Sequence, residues 1–265
     1  VGTTNKTKLS DYERAITPET RVLLKVHPSN YRVVGFTSAV STQELAALGR
    51  ERGLPVMEDL GSGTLMDLRE FGLPHEPTVP GAIEAGADLV TFSSDKLLGG
   101  PQAGVILGRG GLVARLRTHP LLRAVRIDKL SLAALEATLR LHLDPERLPR
   151  ALPVLGMLTR DGRELEERAE RLKRLLVEIG GVEVGSAEGV GYAGGGSLPE
   201  AGIPTRLVTV RPAELATEEL ARRLRAHRPA VVGRIGEGRF VMDMRTVTDD
   251  DIAHIAEAFR GVLAP

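Results

Sequence analysis

The chain has 265 residues, 35 basic and 35 acidic side chains, and neither Cys nor Trp. That length can bury a sizeable core, as one α/β domain or as a large and a small one. The missing thiols exclude a disulfide, a thiolate nucleophile and a cysteine-held metal, and the balanced charge gives no general pull toward nucleic acid or membrane. Glycine is abundant, 30 residues against a usual share of about 7%, which suits tight turns and close backbone approaches. No apolar run approaches the roughly 20 residues of a membrane span. A cysteine-free chain suits a reducing compartment, so the expected location is cytoplasmic.

The opening VGTTNKTKLSDY is polar, lacks the apolar centre of a signal peptide, and does not begin with Met. Asp11 to Ile16 is expected to form a short helix capped by Ser10. Val22 to Val26 reads as a buried strand, followed by the polar turn HPSNYR. Thr42 through Arg50 reads as a helix, with Thr42 as N-cap and Glu44 in its first turn. Leu54 to Met57 is the next strand, running out at Asp59 and GSG. A short helix closes over Ile83 to Gly86, Leu89 to Phe92 is a strand ending at Ser93, and Gly104 to Leu107 is a further strand. Leu112 to Leu116 starts another helix. This alternation with short polar joins predicts a mostly parallel sheet, with ligand groups just past the strand ends.

Leu130 to Leu143 predicts a longer helix with Ser131 as cap, after which prolines cluster at 145, 149 and 153. Gly162 to Gly180 is the clearest amphipathic helix. Leu165, Ala169, Leu172, Leu176 and Ile179 form its stripe, with Glu164–Arg168 and Glu167–Arg171 pairs on a solvated face. Strands are expected at Val182–Val184 and Leu207–Val210, a helix at Thr217–His227, and a hairpin of Val231–Ile235 with Phe240–Met244. A last helix covers Asp249–Leu263. The expected division is a large domain over 1–144 and a small α+β domain over 145–265.

Lys96 follows Ser93, Ser94 and Asp95 and precedes LLGG. Alone it reads as a surface lysine. In this setting Ser93 can offer a hydroxyl to a phosphate, and the glycines admit a flat ligand. Asp59 reads either as a turn residue or as the partner of a pyridine nitrogen. A lysine past one strand and an aspartate past another point to pyridoxal phosphate, held as a Schiff base on Lys96. Ser62 sits in the GSG turn, where backbone or hydroxyl can approach the ring. His27, after the first strand, reads as a turn histidine or as a residue stacked on the cofactor. Arg123 and Arg126, with Lys129, read as a surface basic cluster or as an anion clamp. Gly191 to Ser197 resembles a phosphate loop only in composition and reads as a crossover. The scattered histidines make no zinc pattern.

The segments VGTTNKTKLSDYERAI, KVHPSNYRVVGFT, EDLGSG, FSSDKLLGGPQAG, PLLRAVRIDKL, ALEATLR and GGGSLP, in this order, resemble bacterial L-seryl-tRNA(Sec) selenium transferases, the selenocysteine synthases. Ser94 stands where that family commonly has glycine. The resemblance implies a fold-type-I pyridoxal phosphate-dependent transferase, aspartate aminotransferase-like, with a small C-terminal domain. It implies Lys96 as the Schiff-base lysine, Asp95, Arg123 and Arg126 facing the substrate, and the arginines on selenophosphate. It implies a homo-oligomer, a decamer arranged as a pentamer of dimers, with active sites between subunits. It also implies a tRNA-binding domain and the start of the cofactor domain ahead of VGTTN, so a truncated sequence is expected. Two other readings compete: a pyridoxal phosphate-dependent lyase acting on a small amino acid or amino-sugar acid, and a non-catalytic remnant.

Overall fold

The computed structural model describes residues 1–194, 197–198 and 202–264. It divides into two compact units, Val1–Gly156 with Ala193–Ala201, and Met157–Tyr192 with Gly202–Pro265. The expected boundary lay at 144/145. The prolines there do not end the unit, because the following short helices fold back within it. Leu152 and Val154 lie over Gly99, and Gly156 lies against the Pro149 carbonyl.

In the first unit the elements run α1 (Leu9–Ala15), β1 (Leu23–Val26), α2 (Thr42–Arg52), β2 (Val56–Gly61), α3 (Val79–Glu84), β3 (Leu89–Ser93) and β4 (Gly104–Gly108). Then come α4 (Gly110–Arg117), α5 (Leu121–Val125), α6 (Lys129–Leu141), α7 (Leu148–Ala151) and α8 (Pro153–Thr159), inside which the units part. The sheet order is β1-β2-β3-β4. The first two pairings are parallel, as the alternating helices require, but β4 runs antiparallel to β3. The short link between β3 and β4 holds no helix to carry the chain back, so β4 must turn round.

Strand alternation decides what each face carries. Val56, Glu58 and Leu60 point to the face packed by α2 and α3, where Leu23, Leu45, Leu48 and Val56 form one cluster and Leu60, Val79, Ala82, Val90 and Phe92 another. Leu24 and Val26, whose positions alternate with Leu23, are exposed. The neighbouring acids Glu58 and Asp59 therefore part company. Glu58 is buried, pairs with Lys25 Nζ at 2.8 Å, and accepts from Thr42 Oγ1 at 2.7 Å. This ties the start of α2 to the sheet.

Several caps differ from expectation by a few residues. Ser41, not Thr42, caps α2 and makes the reciprocal box with Glu44. Thr42 is instead engaged by Glu58. Asp128, not Ser131, caps α6, its carboxylate accepting from two backbone amides. The helix α1 starts before Ser10, with Lys8 at its N-cap.

The second unit holds α9 (Gly162–Ile179), β5 (Val182–Tyr192), β6 (Gly202–Pro212), α10 (Thr217–Ala226), β7 (Arg234–Gly236), β8 (Arg239–Asp243) and α11 (Asp249–Leu263). Its antiparallel sheet has the order β5-β6-β8-β7. The stripe of α9 packs with Leu220, Leu224, Phe240 and Phe259 into one core, and the two phenylalanine rings meet edge to face. The hairpin turns at Gly236–Gly238 as expected, while β5 and β6 are much longer than expected. Gly191 and Tyr192 lie in β5, and Gly195 and Gly196 of the glycine-rich segment lie outside the described residues.

The charged face of α9 is not simply solvated. Arg168 is buried and bonds Glu164 Oε1 and Asp249 Oδ2, each at 2.7 Å, and the Val247 carbonyl. Arg171 pairs with Asp249 rather than with Glu167, which faces Arg163. The hydrogen bond from Arg171, opposed by burial and aided by Arg168, holds the Asp249 carboxyl below its ordinary value. A carboxylate lowered on folding stabilises above its unfolded pKa, about 4, and loses that contribution as pH falls through the folded value. Asp249→Asn is therefore expected to lower the melting temperature at pH 7, with the gap to the parent narrowing below about pH 4. A constant gap down to pH 2 would show that the ion pair is not its source.

Candidate functional site

Two loops at the end of β2 and β3 meet. The β2 strand runs through Asp59 to Gly61, so the aspartate sits inside the strand rather than beyond it. Its pairing with β3 shifts register between Asp59 and Gly61, an irregularity that re-aims the residues beyond it. Gly61 and Gly63 then adopt left-handed backbone, φ +68° and +72°. Both need the absence of a Cβ. One added at Gly63 would stand 2.5 Å from the Ser93 carbonyl oxygen, and one at Gly61 would stand 2.7 Å from Ser29 Oγ. The Leu97 amide donates to the Ser62 carbonyl at 3.1 Å. EDLGSG and FSSDKLL are thereby laced together through their backbones.

This lacing sets Lys96 over the end of β2. Its Nζ lies 3.7 Å from the position of a Gly61 Cβ, and it makes no hydrogen bond or ion pair with a described residue. Asp59 stands in register with Thr91 of β3, whose Oγ1 donates to Asp59 Oδ1 at 3.0 Å. Asp59 Oδ2 takes no hydrogen bond from a described residue. Ser62 is fully buried, and its Oγ has no partner among the described residues. Ser93 is half-buried at the end of β3. Ser94 is wholly buried and closes the loop onto itself. Its Oγ donates to the Pro101 carbonyl, its carbonyl accepts from Gly100 N, and its amide donates to the Ala103 carbonyl.

His27 follows β1, and its amide donates to the Asp59 carbonyl at 2.8 Å. Its Nε2 lies 3.5 Å from Oε1 of the buried Glu76. Asp95 is exposed and accepts from Gln102 Nε2 at 2.6 Å. Arg123 lies in α5, but Arg126 lies just past its end with extended backbone, so the two do not share a helical turn. Both are exposed, and no hydrogen bond or ion pair links either side chain to the Lys96 loop. Ile127, the residue after Arg126, packs against the cluster containing Leu98. Among the described residues no group of His, Asp and Glu could hold a metal ion.

Of the residues named from sequence, Asp59, Ser62 and His27 lie on segments tied by backbone hydrogen bonds, Ser62 to the residue after Lys96 and His27 to Asp59, while Ser93 ends the strand that leads to Lys96. Sequence reasoning missed Ser29, Glu76, Thr91 and Gln102. Strand alternation could have found Thr91, two positions before Ser93, once the register with β2 was known. Nothing local marks Glu76, because an acid in a proline-flanked loop reads as solvated.

The sequence matches the profile of the L-seryl-tRNA selenium transferases (SelA) over residues 1–248. It is 53% identical over 262 residues to the L-seryl-tRNA(Sec) selenium transferase of Hyphomonas neptunium, covering 99% of this chain and 57% of that protein. With the enzyme of that name from Nitratidesulfovibrio vulgaris it shares 52% identity over 265 residues, covering 99% and 56%. The chain therefore spans a little over half the length of these relatives. The solved structure of a D-glucosaminate-6-phosphate ammonia-lyase has the same fold, with a TM-score of 0.61 at 22% identity, covering 99% of this chain and 62% of that one.

Proposed function

This chain belongs to the L-seryl-tRNA selenium transferase family, and on that premise we propose that the full-length protein converts L-seryl-tRNA(Sec) to L-selenocysteinyl-tRNA(Sec). Selenophosphate is the selenium donor, and the reaction is β-elimination followed by selenium addition, with pyridoxal 5'-phosphate as cofactor. The observation that carries this reading is the lacing of EDLGSG to FSSDKLL, which sets Lys96 Nζ, without a partner among the described residues, over Gly61, two residues past an aspartate whose Oδ2 takes no hydrogen bond from them.

The residues present fit that cofactor. At Gly61 the backbone passes so close to Ser29 that a Cβ would stand 2.7 Å from its Oγ and 3.7 Å from Lys96 Nζ, so the strand end admits no side chain there. The buried Ser62 Oγ has no partner among the described residues, and a buried hydroxyl without a partner is costly unless a ligand meets it. Lys96 would hold the cofactor through its amine, Asp59 Oδ2 would face the ring nitrogen, Ser93 and Ser62 would offer hydroxyls, and His27 would lie against the ring. When bound, the cofactor supplies an electron sink for charge developing at the substrate α-carbon.

The remaining work falls to side chains. Lys96 Nζ would take the α-proton of the seryl group and later return one. Asp59, oriented by Thr91, would be the acidic partner of the ring nitrogen. Arg123 and Arg126, exposed and without an ion-pair partner among the described residues, bind the phosphate oxygens of selenophosphate as charge-assisted donors. Asp95, held by Gln102, would face the substrate. We place the protein in the cytoplasm as a homo-oligomer. No helix among the described residues is long and apolar enough to cross a membrane.

The test uses the full-length protein with L-seryl-tRNA(Sec) and selenophosphate, and selenocysteinyl-tRNA is the product expected. Failure to form it, together with ammonia release from a small amino acid or amino-sugar acid, would transfer the chain to a lyase reading. The ammonia-lyase likeness is one of fold at 22% identity, so it does not by itself favour that substrate.

A further inference from the structure

We propose that Glu76 is a positioning residue that holds the His27 imidazole at the cofactor site. The proposal rests on the pyridoxal phosphate reading above. Glu76 is 3% exposed, and burying a carboxylate is costly unless a donor meets it. Its loop is anchored on both sides. Leu73 is buried before it, and the Val79 amide donates to the Thr64 carbonyl after it, at 3.0 Å. The loop therefore holds the acid inward, although the sequence around it is polar and proline-rich.

Glu76 Oε1 and His27 Nε2 are both buried, and neither has a hydrogen-bond partner among the described residues. They stand 3.5 Å apart, a few tenths of an ångström beyond an ordinary N–H···O bond. A proton on Nε2 lets each satisfy the other after a small side-chain rotation. The acceptor then selects the Nε2–H tautomer and sets the plane of the ring. The backbone end of His27 is already fixed, because its amide is bonded to the Asp59 carbonyl. With both ends held, the imidazole keeps one orientation relative to Asp59. A flat ring meant to lie against a flat ligand needs that second constraint, and a buried acid used only for packing would be better replaced by an apolar side chain.

The experiment is a double-mutant cycle in the full-length protein, read as the dissociation constant for pyridoxal phosphate. Glu76→Ala is expected to weaken binding about 10-fold, a usual size for a coupled pair. Glu76→Gln keeps an acceptor oxygen and should stay within about 3-fold of the parent. In a His27→Ala background, Glu76→Ala should cost less than about 2-fold more. The melting temperature of the cofactor-free protein should not fall in Glu76→Gln. Equal losses with and without His27, or equal losses in the Gln and Ala variants with a lowered melting temperature, would overturn the proposal and leave the cofactor reading standing. If the unmodified full-length protein binds no pyridoxal phosphate, the cofactor reading fails and this inference fails with it.

Discussion

Lys96→Ala in the full-length protein is expected to abolish the visible absorbance band that covalently held pyridoxal phosphate gives the parent. Turnover should fall by about four orders of magnitude, since one side chain serves as both attachment point and proton carrier. The expectation comes from position. Lys96 Nζ stands near Gly61 with no carboxylate partner among the described residues, so removing it breaks no ion pair with them and leaves no buried charge behind. Loss of activity should therefore come without loss of fold, and the melting temperature of the cofactor-free variant should match the parent. Lys96→Arg keeps length and charge but not a nucleophilic amine. It should lose the band as completely as the alanine variant. A retained band in either variant would show that another amine holds the cofactor, and the assignment of Lys96 would be wrong.

Asp59→Asn should lower kcat by about two to three orders of magnitude while changing cofactor affinity far less. The amide keeps an oxygen that can accept from Thr91 Oγ1, so the side chain should hold its place. On the proposed reading it would lose the acidic partner of the ring nitrogen, and with it the protonated state that makes the ring a strong electron sink. A cofactor analogue carrying a permanent positive charge on that nitrogen should restore part of the lost rate in Asp59→Asn and do nothing for Lys96→Ala. Thr91→Val, which removes only the orienting hydroxyl, should cost about 10-fold. If Asp59→Asn were as active as the parent, the free oxygen of Asp59 would be a solvent-facing detail of a strand and not part of the site.

These expectations separate what could be read in the chain from what could not. Lys96, Asp59, Ser93 and Ser62 stand out because glycines and hydroxyls crowd round them where apolar runs end. That is a local signal, visible without any fold. The stripe of α9 and the turn of the Gly236–Gly238 hairpin were equally plain, because side-chain period and turn chemistry are local too. Arg168 was misjudged for the matching reason. Its helical spacing places it beside Glu164, but Asp249 and the Val247 carbonyl, which bury it, come from a distant stretch of chain. The direction of β4 escaped in the same way, since an apolar run does not state which way it pairs.

By itself, then, the sequence determined the residue types at the site, the alternation of strands and helices, and the family that their order marks. Only the tertiary structure decided which of those residues face one another. The register of β2 on β3 sets Asp59 against Thr91, and strand alternation sends Glu58 to the opposite face. The fold also turns Glu76 inward toward His27. Each of these contacts joins segments far apart in the chain, and no periodicity or local propensity carries information about a partner that arrives only on folding.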